Sequence, residues 1–147
     1  MSASRCRRSP AARPSRTRDN RRLNGSSGRV KNVFDYMNEN PWIELAPGIR
    51  RRTVTHGETM YQMMAELKAG SVMPPHQHPQ EQIIHILSGR MKVNVGNDSR
   101  VLGPGDSHYL ASNVPHGVET LEDTRVLDTF SPPRHEYIAL DEQAKAR

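Results

Sequence analysis

Two histidines two positions apart, His76 and His78, lie in the stretch GSVMPPHQHPQEQIIHILSG from Gly70 to Gly89 and are followed by Gln82. In an extended segment side chains two apart point to the same face, so both imidazoles can be offered to one cation. Imidazole, amide and carboxylate donors together suit borderline or harder divalent metals such as Zn, Ni, Fe, Mn or Co. A histidine pair does not close a coordination shell. A third ligand has to come from the next strand and a fourth from elsewhere, with room left for substrate or water. Glu81 and Gln82 compete for the third place, glutamate being the better donor to a hard cation. Strand alternation favours Gln82, which shares a face with Ile84 and Ile86. Downstream, Val114-Pro115-His116-Gly117 supplies one more histidine. The candidate metal ligands are therefore His76, His78, Gln82 and His116.

A second group of residues could move protons. In TRVLDTFS, residues 124–131, Asp128 and Phe130 share a strand face with Val126. A carboxylate among apolar neighbours in a small barrel is costly unless it is paired or used. Burial would raise its pKa toward a useful acid-base range, and a nearby cation would oppose that. Past Pro132-Pro133 comes Arg134, whose planar fork suits a substrate carboxylate.

The elements that must position these groups read as strands. Trp42 to Leu45, Ile49 to Thr55, Thr59 to Leu67, Gln82 to Leu87, Arg90 to Val95, Ser99 to Leu102, His108 to Leu110 and Thr124 to Ser131 are separated by turn signals, including Pro47-Gly48, His56-Gly57-Glu58 and Gly103-Pro104-Gly105-Asp106. Pro74 and Pro75 restrict the approach to His76. The three successive arginines Arg50, Arg51 and Arg52 read as a solvated or edge strand rather than an anion site. Met60, Met63 and Met64 read as filling of an irregular core. His85, His108 and His135 have no spacing partner and read as core-edge or surface residues, and His56 as an exposed turn residue.

Charge is divided unevenly along the 147 residues. Residues 1–29 hold nine arginines and one acidic residue, a net of +8 out of a total of +5, leaving −3 for the remainder. The basic balance thus belongs to the leader, which removes the main composition argument for nucleic-acid binding by the folded domain. Residues 1–30 read as a disordered Arg/Ser/Pro-rich leader, because almost no large apolar side chain is available to offset the entropy of ordering; an upstream extension from a misassigned start reads the same way. No apolar run follows its arginines as a secretory signal requires. Residues 31–41 read as an N-terminal arm, 42–140 as the barrel and 141–147 as a charged, helix-compatible tail. The single cysteine, Cys6, excludes an intramolecular disulfide and a CxxC metal site. No apolar stretch approaches about 18 residues, so no membrane span is expected.

Gly70 to Gly89, with its His-x-His and Gln82, resembles the first motif of the cupin superfamily, with glutamine where glutamate is more usual. PGDSHYLASNVPH from Pro104 to His116 is similar to the second motif, and it is this match that gives His116 its ligand role. The resemblance implies an all-β fold, the cupin double-stranded β-helix or jelly-roll barrel, and the spacing to Gly89 supports Gln82 over Glu81. A metal-free cupin with hydrogen-bonded histidines is the alternative. The segments HPQEQIIHILSGR, SNVPHGVETLE and VLDTFSPPRHEY further resemble the small single-domain cupins of pectin and alginate breakdown. That resemblance implies conversion of 4,5-unsaturated uronate monosaccharides to linear keto acids. It also implies a catalytic set of Asp128, Phe130 and Arg134, a small anionic sugar as substrate, a homodimer and a cytoplasmic location. His85, where tyrosine is common, departs from the pattern. Another metal-dependent cupin enzyme, such as a dioxygenase or keto-acid isomerase, or a non-catalytic sugar-acid-binding cupin would share the metal ligands.

Overall fold

A computed structural model of the chain describes residues 40–147. The expected leader, and the expected arm up to residue 39, lie outside the described residues. Among the described residues ten strands form two antiparallel sheets. They are β1 (Ile43–Ala46), β2 (Ile49–His56), β3 (Tyr61–Leu67), β4 (Val72–His76), β5 (Glu81–Ser88), β6 (Met91–Val95), β7 (Asp98–Leu102), β8 (Ser107–Leu110), β9 (His116–Thr120) and β10 (Thr124–Ser131), and one helix, α1 (His135–Lys145), follows. The larger sheet runs β1-β2-β3-β10-β5-β8 and the smaller β4-β9-β6-β7. The fold is the jelly-roll barrel that the motifs imply.

Alternation builds the core. Tyr61, Met63, Ala65 and Leu67 of β3, Ile84 and Ile86 of β5, and Val126 and Phe130 of β10 are all buried, while the residues between them lean outward. Against them the smaller sheet packs Met91, Val93 and Leu102. Full burial of an aliphatic side chain of this size stabilises by about 1.5–3 kcal/mol. This layer keeps the two sheets, and the site between them, in place.

Two glycines permit close approaches that matter. At Gly89, with φ +82°, an added Cβ would lie 2.2 Å from the Asp123 carbonyl oxygen, so the turn after β5 admits only glycine. At Gly117 a Cβ would lie 3.0 Å from the Met73 carbonyl oxygen, and its absence lets β9 close on β4 where His76 faces His116.

The structure departs from the sequence reading in several places. β4 is a strand despite Pro74 and Pro75, because it is an edge strand whose register breaks between Met73 and His76, leaving no ladder bond for the prolines to forfeit. β9 was not expected as a strand; its short HGVET sequence carries no apolar alternation. Strand β2 lies between β1 and β3 rather than at an edge. Arg50 is exposed and paired with Glu66, and Arg52 stacks on Trp42, but Arg51 is fully buried, so the solvated reading fails there. Met60 is 57% exposed and does not fill the core. The helix α1 crosses the boundary expected at 140/141 and buries Asp141. No helix among the described residues is long and apolar enough to cross a membrane.

Candidate metal centre

His76 ends β4, His78 follows in the loop, Gln82 is the second residue of β5, and His116 opens β9 in register with His76. The imidazole ring centres lie 4.4 Å (His76–His116), 5.0 Å (His78–His116) and 5.8 Å (His76–His78) apart. One nitrogen from each of the three falls within 4.8 Å of the others.

The hydrogen bonds fix which nitrogen faces inward. Each Nδ1 meets a backbone carbonyl: Pro74 for His76 at 2.9 Å, Gln80 for His78 at 3.0 Å and Val114 for His116 at 2.8 Å. A carbonyl only accepts, so each Nδ1 carries a proton, and the tautomer this selects presents Nε2 as the atom that can ligate a metal. Burial also pushes the His116 pKa down to about 4 and lowers that of His78, keeping both rings neutral.

Gln82 adds a second sign of a cation. Its amide nitrogen donates to Asp128 Oδ1 at 3.0 Å, which turns its carbonyl oxygen toward His78 Nε2 at 3.1 Å. In that arrangement two acceptors face each other, which is unfavourable unless a positive charge lies between or beside them. The donor set, three imidazoles and an amide oxygen, fits a divalent transition metal. Glu81 points the other way: it is exposed and accepts from the Tyr109 hydroxyl at 2.7 Å.

Asp128, on β10, is buried beside this cluster, with a pKa raised from 3.8 to about 7 by desolvation, against the Gln82 hydrogen bond and the Arg134 charge, which lower it. The Phe130 ring lies 5.6 Å from that of His78. Arg134, just before α1, is buried with its guanidinium carbon 5.1 Å from the Phe130 ring centre and 4.2 Å from that of Tyr137. Its Nε is paired with Glu136, and its two terminal nitrogens make no hydrogen bond among the described residues. All seven residues singled out from the sequence (His76, His78, Gln82, His116, Asp128, Phe130 and Arg134) line one cavity of about 80 Å³. One water needs roughly 10–15 Å³ measured this way, so there is room for an ion and a small bound group. A larger groove of about 630 Å³ on the outer face contains none of the imidazoles, and its Arg50, Glu66 and Arg125 are spent on one another.

The cavity also holds Tyr137, which the sequence reading passed over. The available signal was helical: three positions after Arg134, Tyr137 falls on the same side of the turn.

The raised pKa of Asp128 has a measurable consequence. In metal-free protein the folded state binds this proton more tightly than the unfolded chain, so the group stabilises the fold at low pH and that contribution is lost as pH rises from about 4 to about 7. His78 and His116 have the opposite sign, because their depressed pKa values cost stability as pH falls. Denaturant unfolding across this range is therefore expected to show metal-free wild type losing stability relative to Asp128→Asn as pH rises. A constant difference between the two would place Asp128 in a wetter setting.

A cupin-domain family model matches residues 63–130. The chain is 34% identical over 102 residues to the pectin degradation protein KdgF of Dickeya dadantii, covering 68% of this chain and 93% of that protein. The solved structure of KdgF from Halomonas sp. superposes with a TM-score of 0.65 at 33% identity, covering 69% of this chain and 97% of that one. An H2HPP isomerase of Bacillus subtilis is 31% identical over 86 residues, covering 58% of this chain but 36% of that protein.

Proposed function

Because the chain belongs to the KdgF family of cupin-domain proteins, we propose that it is a metal-dependent enzyme that opens 4,5-unsaturated uronate monosaccharides to linear keto acids. The observation that carries this reading is the convergence in one cavity of three Nε2-presenting imidazoles, Gln82, a buried carboxylate and an arginine fork. The description of the Dickeya relative as a pectin degradation protein supports uronates released from pectin as the source.

In the cyclic substrate the ring oxygen belongs to an enol ether, and the alkene carbon that bears it also bears the carboxylate. Arg134 binds that carboxylate through its terminal nitrogens, a planar two-point match that fixes the orientation of the ring. Phe130 packs against the apolar face of the sugar and, with the barrel wall, excludes water. Asp128 takes the proton from the anomeric hydroxyl as the carbon–ring-oxygen bond breaks and the anomeric carbonyl forms. The bonding electrons leave on the ring oxygen as an enolate, and protonation of the neighbouring ring carbon gives the methylene and the ketone. The net change is an isomerisation, so a carboxyl that accepts one proton and returns one ends as it began. A pKa near the working pH suits both halves of that task. A divalent metal held by His76, His78, His116 and Gln82 would supply Lewis acidity at a substrate oxygen, the neutral amide ligand leaving it more positive toward an anion than glutamate would.

The test is metal removal and return. Chelation is expected to abolish the enzyme-dependent loss of the ultraviolet absorbance of the conjugated double bond, and one equivalent of metal to restore it. His116→Ala should bind metal at least about 100-fold more weakly, since even the loss of a ligand's supporting partner costs 10–100-fold. Full activity in stringently metal-free protein would overturn the reading.

A further inference from the structure

A buried chain of contacts that the reaction scheme leaves unused reaches the cavity at Tyr137 and Arg134. It starts at Asp141, in α1, which is 3% exposed and pairs with the fully buried Arg51 of β2 at 2.5 Å. Thr53 donates to the other Asp141 oxygen at 2.5 Å, and the Tyr61 hydroxyl donates to Thr53 at 2.6 Å. Neutralised in this way, Arg51 turns to Tyr137: a terminal nitrogen donates to the Tyr137 carbonyl at 3.0 Å and the guanidinium carbon lies 4.5 Å from the ring centre. The same ring lies 4.2 Å from the guanidinium carbon of Arg134. Tyr137 therefore contacts two guanidiniums, one tied into the barrel and one in the substrate cavity.

We propose that Tyr137 is a positioning residue: its ring holds the Arg134 guanidinium toward the cavity, and the buried Arg51–Asp141 pair holds Tyr137. The inference rests on reading Arg134 as the anchor of the substrate carboxylate, and it adds the element that aims that anchor. An arginine side chain has four rotatable bonds, and among the described residues the ion pair of Arg134 to the exposed Glu136 holds Nε and not the terminal nitrogens; of the two rings beside the guanidinium, Tyr137 is nearer at 4.2 Å than Phe130 at 5.1 Å. A guanidinium over an aromatic face gains an attraction that strengthens as water is excluded. Arg51 also meets this ring and takes up the Tyr137 backbone carbonyl, which holds the ring where Arg134 meets it.

The test uses metal-loaded Tyr137→Leu and Tyr137→Met, which lose the ring, and Tyr137→Phe, which keeps it. Two readouts separate this inference from the proposed reaction: steady-state kinetics on the unsaturated uronate, and calorimetric titration with saturated galacturonate, which carries the carboxylate but cannot undergo the reaction. Both ring-less variants are expected to raise KM and the galacturonate Kd by about tenfold, with kcat changing by less than about threefold, and the Phe variant to return both constants to within about twofold of wild type. Unchanged KM and Kd in the ring-less variants would overturn the proposal, as would a Phe variant as impaired as Leu, or a fall in kcat alone. If wild type binds galacturonate but opens no ring, the proposed reaction falls and the titration still decides the role of Tyr137. If wild type does not bind galacturonate, both Arg134 as the anchor and this proposal fall.

Discussion

Asp128→Asn is expected to lower the rate of ring opening by about 10²–10⁴-fold, the usual contribution of a positioned acid-base group, while metal content stays at the wild-type level. The two halves of that expectation come from the two sides of one hydrogen bond. Gln82 donates its amide hydrogen to Asp128 Oδ1, and an asparagine presents an amide oxygen in the same place, so Gln82 keeps its own oxygen turned to His78. The ionisable proton is what the substitution removes. Asp128→Ala differs in kind: it frees the Gln82 amide to turn over and should lower metal affinity as well as rate. Rate assays paired with elemental analysis of both variants separate the two roles. An Asn variant with an undiminished rate would take Asp128 out of the proton transfer and leave it as the residue that orients Gln82.

The largest expected effect on stability is at Arg51. Removing one member of a buried ion pair leaves the other charged and unpartnered, which costs about 3–5 kcal/mol, against a typical total of about 5–15 kcal/mol for a domain. Arg51 is fully buried, and its carboxylate partner also accepts from Thr53 while the guanidinium takes up the Tyr137 carbonyl, so truncation strands several groups together. Arg51→Met is therefore expected to lower the unfolding free energy by about 3–5 kcal/mol in denaturant titrations. Because the cost is an orphaned charge and not a lost attraction, Arg51→Met with Asp141→Leu should recover most of it. A double variant no more stable than the single one would mean that the polar network, including Thr53 and Tyr61, contributes beyond the ion pair.

These two positions also mark what sequence could and could not convey. Asp128 was legible because its strand alternates cleanly: with Val126 and Phe130 committed to the core, the residue between them has to point the same way. Gln82 was legible for the same reason beside Ile84 and Ile86, and the alternation that selected it put Glu81 outside. Arg51 was not, because its partner lies 90 residues away on a helix after the last strand. Within IRRRTVTH residue type does not distinguish it from Arg50, which is exposed; only strict alternation from Ile49 places it inward. The charge of the residue outweighed its position in that reading, and a buried counter-charge reversed the balance. Strand β4 was hidden by its prolines and β9 by its lack of apolar alternation, yet these two strands bring His76 opposite His116. The motifs thus pointed to the candidate ligands before the local pattern revealed the strands that carry them. Tyr137 needed α1 to be recognised as starting at His135, and the charged end of the chain gave little amphipathic signal for it.

The central claim, that this barrel opens unsaturated uronate rings, is tested most directly by following freshly prepared 4,5-unsaturated galacturonate by NMR with metal-loaded protein and in buffer alone. The account predicts that the anomeric and vinyl signals disappear faster with protein, in proportion to its concentration, and that the signals of a linear keto acid with a new methylene replace them. Equal rates with and without protein, while metal is bound and the substrate is fresh, would contradict it.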